Sequence, residues 1–292
     1  MITPFQRAWV VTCRGTPEEA LSLRTDWPVP QKLEPGEVLV KVEAGALNPA
    51  GWKMMRMMPN FVFPRPHVAE FDFAGTIANA NGTELFEGDA VYGFIPVEIT
   101  QKTRQGALAE YIRIPEDYVV PRSTNLTAIE ASGLAAASQT AYQAIYVQGQ
   151  LSPGQIVFIN GGSSAVGAFV IQLAKGIGAK VVATASAKNE VFVRKMGADE
   201  FIDYTKLDLA KYLVEHAPSP KFNLIFDAVG LIDPSLYTHS EAYLQCGGIF
   251  ITSGPLPKNT SAEIWTLLKT VVALVTPAIL GGTRRKYECV AL

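Results

Sequence analysis

The stretch Ile156-Val-Phe-Ile-Asn160-Gly-Gly-Ser-Ser-Ala-Val-Gly167-Ala-Phe-Val-Ile-Gln-Leu-Ala-Lys175 decides the fold. Its first residues form an apolar, β-branched run that reads as a buried strand reaching Ile159. A turn of small residues follows. Apolar residues then recur at Ala165, Phe169 and Leu173, the spacing of a helix that buries one face. Strand, tight turn and helix in that order build a phosphate site at a helix N-terminus. Small side chains let the backbone come close, and the first N–H groups of the helix point at the ligand. The ligand this order predicts is a dinucleotide. The turn departs from the three-glycine form: Gly161, Gly162 and Gly167 are present, but Ser164 and Ala165 fill central positions. Taken alone, the motif also fits an ordinary strand–helix turn of an α/β domain.

The next segment narrows the choice. Gly178-Ala-Lys-Val-Val-Ala-Thr-Ala-Ser186 reads as a second strand. It ends about 20 residues past the turn, where the side chain that reads the adenosine ribose belongs. An NAD site places an acid there. This chain has Ser186-Ala187-Lys188-Asn189, with no acid before Glu190. A hydroxyl, an ammonium and an amide donor suit a 2′-phosphate, which predicts NADPH as the cofactor. The competing reading is that Lys188 opens a solvated helix.

Bulk properties fit an enzyme of about two domains: 292 residues, 48% of them hydrophobic and 18% charged. A net charge of −2 gives no basic field for nucleic acid or an anionic membrane. Cys13, Cys246 and Cys289 are scattered, neither a disulfide framework nor a metal cluster, as expected in a reducing compartment such as the cytoplasm. No signal-peptide core opens the chain. The apolar stretch Ile264 to Gly282 is interrupted by Lys269 and Pro277, so a buried or interface-facing helix is expected rather than a membrane span.

The texture changes along the chain. Ala8–Thr12, Gly36–Ala44, Phe71–Ala78, Ala90–Phe94 and Ala107–Ile114 read as short strands between Gly, Pro and Asn turns, a partly closed barrel-like domain. Ala128 to Tyr146 is Ala-rich and helical. After it, strands and helices alternate as in a doubly wound parallel sheet, with strands at Ile156–Asn160, Lys180–Thr184, Glu200–Asp203, Asn223–Asp227, Gly248–Thr252 and Lys286–Ala291.

With both halves in view, the chain resembles the zinc-independent medium-chain dehydrogenases/reductases of the quinone oxidoreductase (zeta-crystallin) and enoyl reductase type. The blocks that carry the likeness are Gly36-Glu-Val-Leu-Val-Lys-Val with Leu47-Asn-Pro49 and Trp52-Lys53, Phe71-Asp-Phe-Ala-Gly75, Gly88-Asp-Ala-Val-Tyr-Gly93, Gly106-Ala-Leu-Ala-Glu-Tyr111 and Ser138-Gln-Thr-Ala-Tyr142. The dinucleotide turn, Met196-Gly-Ala-Asp199 with Asp203-Tyr204, and Phe226-Asp-Ala-Val-Gly230 complete them. The resemblance implies an α/β protein. Its N-terminal GroES-like β-barrel domain would span residues 1–127, and a Rossmann doubly wound parallel sheet would span residues 128–292. NADPH would lie in the cleft between them. It implies that Asn48 lies beside the nicotinamide ribose and Thr140 near the nicotinamide. Gly162, Ser163, Ser164, Ala165 and Val166 would cradle the pyrophosphate. Ser186, Lys188 and Tyr204 would hold the 2′-phosphate, and Val229 and Gly230 would approach the cofactor by backbone. Local turn or helix bonding is the bland alternative for Asn48 and Thr140.

Zinc is not expected. A catalytic zinc needs Cys, His or carboxylate ligands gathered in space. Zinc-dependent relatives carry Cys at the position of Asn48 and Gly-His-Glu near residue 70. Here His67 and Glu70 have no thiolate beside them. A reaction without a Lewis acid suits a conjugated carbonyl (enone or enal) or a quinone, with Lys53 and Tyr92 as candidate proton donors. Met54, Met55, Met57 and Met58 either line an adaptable apolar pocket or fill core. Two residues depart from the family: Gly51 stands where relatives often carry Asp, and Glu70 where they often carry Gly. Relatives also continue past the strand matching Lys286–Ala291 to complete the first domain, whereas this sequence stops at Leu292. A truncated product, a partial gene model and a trimmed variant that compensates by association are the open expectations, and exposed apolar surface would favour oligomerisation, as in a homodimer, or instability. The alternatives to a small-molecule reductase are a trans-acting enoyl reductase of a polyketide or fatty-acid pathway and a non-catalytic NADPH-binding protein.

Overall fold

The structure, a computed structural model, describes residues 3–254 and 264–290. The chain divides into two compact units between Ala136 and Ala137.

The first unit is built from short antiparallel strands: β1 (Phe5–Val11), β2 (Leu21–Pro28), β3 (Glu37–Ala46), β4 (His67–Val68), β5 (Asp72–Asn79), β6 (Ala90–Phe94), β7 (Tyr111–Pro115) and β8 (Val119–Pro121). Helices α1 (Pro17–Ala20), α2 (Pro49–Met57), α3 (Val97–Thr103) and α4 (Ala128–Ser132) lie between and after them. The strands make two sheets, β2-β1-β4 and β7-β3-β5-β6-β8. Period-2 alternation sets the register. Val38 faces Ile114 and Val40 faces Ile112 across β3 and β7, and all four are buried with Phe73, Ile77 and Val91 in one core.

The second unit opens with α5 (Ala135–Tyr142), inside which the division falls, and a π-helical stretch, Gln143–Gln148. Then β9 (Ile156–Asn160), α6 (Ala165–Ile177), β10 (Lys180–Ala185), α7 (Glu190–Met196), β11 (Glu200–Asp203), α8 (Leu209–Glu215), β12 (Phe222–Asp227), α9 (Ser235–Thr238), β13 (Leu244–Thr252), α10 (Ile264–Val275) and β14 (Lys286–Cys289) follow. The six strands are parallel, in the order β11-β10-β9-β12-β13-β14. This is the parallel sheet that the alternation predicted, in the strand order of the Rossmann fold that the resemblance implied. Strand β9 shows why it is buried on both faces. Val157 and Ile159 join one apolar cluster, with Val170, Ile171 and Ala174 of α6, while Ile156 and Phe158 join another.

Some boundaries differ from the sequence reading. The helical stretch expected from Ala128 to Tyr146 breaks at Gly133, the C-cap of α4, resumes as α5 and widens into the π-helix. The strand expected from Ala107 begins only at Tyr111, because the Ala107 and Leu108 amides are taken by Glu70 O and Ala69 O. Strands β2, β4 and β8 and helix α3 carry little periodicity and were not expected. The strand expected over Lys286–Ala291 is seen as Lys286–Cys289, and Ala291 lies outside the described residues. Helix α10 occupies much of the late apolar stretch. Among the described residues, no helix is long and apolar enough to cross a membrane.

Candidate functional site

The dinucleotide turn joins β9 to α6. Gly161 has φ 87°, a left-handed backbone suited to glycine, and a Cβ there would stand 2.6 Å from Val229 Cγ2. A Cβ on Gly167 would strike the Gly161 carbonyl, so the helix can pack onto the turn only through hydrogen. Ser164 is the N-cap of α6. Its hydroxyl accepts from the Gly167 N–H at 3.0 Å and donates to Gly161 O at 2.8 Å. Serine at this central position therefore fastens the turn, work a glycine could not do. The backbone cradle fits a pyrophosphate at the start of a 13-residue helix.

A buried polar network lies under the turn, which the sequence reading missed. Thr184 Oγ1 accepts from Gly161 N at 3.0 Å and donates to Asn160 Oδ1 at 2.9 Å. Asn160 Nδ2 donates to Asp227 Oδ1 at 2.8 Å. Asp227 also accepts from Val229 N at 3.1 Å and Leu231 N at 2.7 Å, and Thr252 Oγ1 accepts from Gly254 N at 3.2 Å. Burial pushes the Asp227 carboxyl above its ordinary range, against the donors aimed at it. The signal that could have found these residues is that β9, β10, β12 and β13 each end, or nearly end, on a polar residue after an apolar run.

Gly162, Ser163, Ser164, Ala165, Val166, Ser186, Lys188, Tyr204, Val229 and Gly230 all follow the C-terminal ends of β9 to β12, which is where open parallel sheets bind ligands. Gly162 N is bonded to Thr184 O at 2.8 Å. Asn189 Nδ2 donates to Ser163 Oγ at 3.2 Å and to Ser186 Oγ at 3.3 Å, linking the turn to the end of β10. Lys188 is exposed in a single 3-10 turn, Ala187–Asn189, and not in the body of a helix. Tyr204 opens another such turn after β11 and is half-exposed. Thr140 stands apart from this group, buried in α5.

In the first unit, Asn48 is the N-cap of α2, yet its side chain makes no cap bond. Nδ2 donates to Asp72 Oδ2 at 2.8 Å, and the Asn48 N–H donates to Glu70 Oε2 at 3.0 Å. The local turn bonding open to this asparagine is therefore not what its side chain does. Asp72 Oδ1 accepts from Ala136 N at 2.9 Å. Burial raises both carboxyls, Glu70 to about 7 and Asp72 to about 6, with the Asp72 charge adding to the shift on Glu70. Lys53 is one turn further along α2, and Tyr92 sits on β6 opposite Ala74. Met55 is buried against Val11, Ala20 and Ala69 as core, while Met54, Met57 and Met58 are partly exposed.

The donor set does not fit zinc. Among the described residues, no three His, Cys, Asp or Glu side chains stand close enough to share an ion. His67 is buried, edge-on to Phe63, with Nδ1 3.0 Å from Pro64 O, and burial lowers it to about 4.

Two family models match the chain. One described as "Alcohol dehydrogenase GroES-like domain" covers residues 34–124, and one described as "Zinc-binding dehydrogenase" covers residues 165–291. The sequence is 35% identical over 308 residues to the medium chain reductase pydE of Acremonium sp, covering 96% of this chain and 83% of that protein. It is 30% identical over 328 residues to the trans-enoyl reductase poxH of Penicillium oxalicum (strain 114-2 / CGMCC 5302), covering 98% and 84%. The fold matches the structure of the quinone oxidoreductase from Coxiella burnetii with a TM-score of 0.76 at 24% identity, covering 98% of this chain and 83% of that one.

Proposed function

The chain belongs to the medium-chain dehydrogenase/reductase family, of the quinone and enoyl reductase type, and from that premise we propose an NADPH-dependent reductase of a carbon–carbon double bond conjugated to a carbonyl, or of a quinone. The observation that carries the reading is the capped glycine turn with Ser186 and Lys188 where an NAD site would place an acid. Bound NADPH would supply a hydride. The chain's part is to bind and to orient. Backbone N–H groups at the start of α6 would hold the pyrophosphate, Ser186, Lys188 and Tyr204 would hold the 2′-phosphate, and Val229 and Gly230 would approach by main chain. Asn48 Nδ2 is committed to Asp72, so a ribose hydroxyl would have the amide oxygen as its acceptor. Lys53 and Tyr92 are the candidates to hold a proton for the reduced substrate. A conjugated acceptor suits such a site, because hydride arriving at carbon spreads charge onto oxygen along the conjugated system.

The test is NADPH oxidation followed at its near-ultraviolet absorbance, against enals, enones and quinones. Turnover with at least one class supports the reading. Stoichiometric NADPH binding without oxidation by any of them sinks it, leaving a binding protein or a reductase of carrier-bound substrates. The likeness to poxH favours a second reading, a trans-acting enoyl reductase. That reading requires turnover of carrier-bound enoyl thioesters and little on free quinones.

A further inference from the structure

A helix capped by a short polar residue is ordinarily closed by two reciprocal bonds. The cap side chain accepts from the third helical residue, and an acidic or amide side chain at that residue accepts from the cap's own N–H. Helix α2 makes neither bond with its own side chains. The side chain of its cap, Asn48, is turned to Asp72, and its third residue is Gly51. The missing acceptor arrives from another segment. Glu70, in the link between β4 and β5, places Oε2 3.0 Å from the Asn48 N–H. Its carboxylate fills the space over Gly51, so that a Cβ on Gly51 would strike Glu70 Oε1.

Three further facts show that this arrangement is built. Glu70 has φ 62°, the left-handed backbone that glycine adopts freely and glutamate rarely does. The residue is only 5% exposed. Its carbonyl accepts from Ala107 N at 2.8 Å, so both ends of the residue are fastened. A strained backbone, a buried carboxylate and a glycine beneath it make sense together only if the carboxylate has work to do at the Asn48 N–H.

We propose that Glu70 is a positioning residue that replaces, through space, the absent third-residue acceptor of α2 and so fixes the main chain of Asn48, while Asp72 fixes its side chain. The proposal rests on the reading of Asn48 as a contact to NADPH. Gly51 and Glu70 are then one arrangement: the carboxylate comes from the facing link, and the helix position beneath it carries no side chain to compete for the space.

The test is a four-protein cycle of wild type, Glu70→Gly, Gly51→Asp and the double variant, with Glu70→Gln beside it. Each is measured for NADPH affinity by fluorescence titration and for thermal midpoint. Glu70→Gly removes the acceptor and should weaken NADPH about tenfold, the scale of a lost cap. Gly51→Asp alone crowds the existing carboxylate and should lower the midpoint. Combined with Glu70→Gly, the new aspartate supplies the acceptor from the helix itself and should restore NADPH affinity to within about threefold of wild type. Glu70→Gln keeps an oxygen acceptor and should stay close to wild type. The inference is overturned if Glu70→Gly binds NADPH as wild type does, or if the double variant is no better than Glu70→Gly. If wild type binds no NADPH, the cofactor reading has failed instead. The midpoints then decide alone: additive losses overturn the shared role of the two positions, and recovery in the double variant upholds it.

Discussion

Single side chains carry two of the sharpest expectations. Lys188 is exposed at the end of β10, so an attraction to a 2′-phosphate there works through solvent. Lys188→Ala should lower the preference for NADPH over NADH by about fivefold to tenfold, the ~1 kcal/mol of an exposed charge pair. Affinities for both cofactors check it, and an unchanged ratio removes Lys188 from the site. Glu70 and Asp72 set a pH dependence. Both carboxyls have folded pKa values, about 7 and about 6, above the ordinary 4.5 and 3.8, so they take up protons on folding. The stability they lend is fully present below about pH 4 and is lost as the pH rises through 6 and 7, at up to about 1.4 kcal/mol per pH unit for each group. Denaturant midpoints between pH 5 and 8 should fall, and Glu70→Gln should flatten that slope. In the sequence Glu70 stands out only as a carboxylate near His67 with no thiolate beside it and as a residue unusual for its place. The sequence alone does not show that the strain at residue 70 and the bareness of residue 51 belong together, because the two meet only after the chain has folded.

Elements were legible where their pattern was long. Strand β9 declares itself as an unbroken apolar run and helix α6 by apolar recurrence over 13 residues, although its buried face is Gly167, Val170, Ile171 and Ala174, with Phe169 and Leu173 flanking it and Ala165 exposed; the parallel sheet followed from the alternation. Strand β2 was not legible, since Leu21–Pro28 is mostly exposed and holds Arg24 and Asp26 in an exposed ion pair. The split of Ala128–Tyr146 was hidden because Ala-rich sequence favours helix on both sides of Gly133. The seam between β9 and α6 allows a prediction at this scale. Gly167→Ala sets a methyl against the Gly161 carbonyl and should cost about 1–3 kcal/mol, because the helix must slide off the turn. Denaturant unfolding measures the cost. NADPH affinity should fall with it, whereas an alanine at Gly176, which meets nothing nearby, should leave affinity unchanged and raise stability by up to about 1 kcal/mol, since glycine is a poor helix former.

At the scale of the molecule, each unit has its own apolar core. Phe73, fully buried in the first, is expected to cost about 3–5 kcal/mol when replaced by alanine. Amide exchange should quicken across β3, β5, β6 and β7, with β9 and β12 as internal controls. The two-unit plan was readable from the change of texture along the chain, and the turn between β9 and α6 from its glycines. The polar network beneath that site was not, because Asn160, Thr184, Asp227 and Thr252 are far apart in sequence and become neighbours only when parallel strands align their ends. That network bears on the cost of recognition. Loops that order only when a ligand arrives give up conformational freedom at that moment, and affinity suffers. Here the Gly161, Val229, Leu231 and Gly254 amides are tied to the buried side chains of Thr184, Asp227 and Thr252. The entropy of shaping this end of the sheet is spent when the protein folds, so cofactor capture should begin from a rigid mould, with the calorimetric signature of docking rather than of coupled folding.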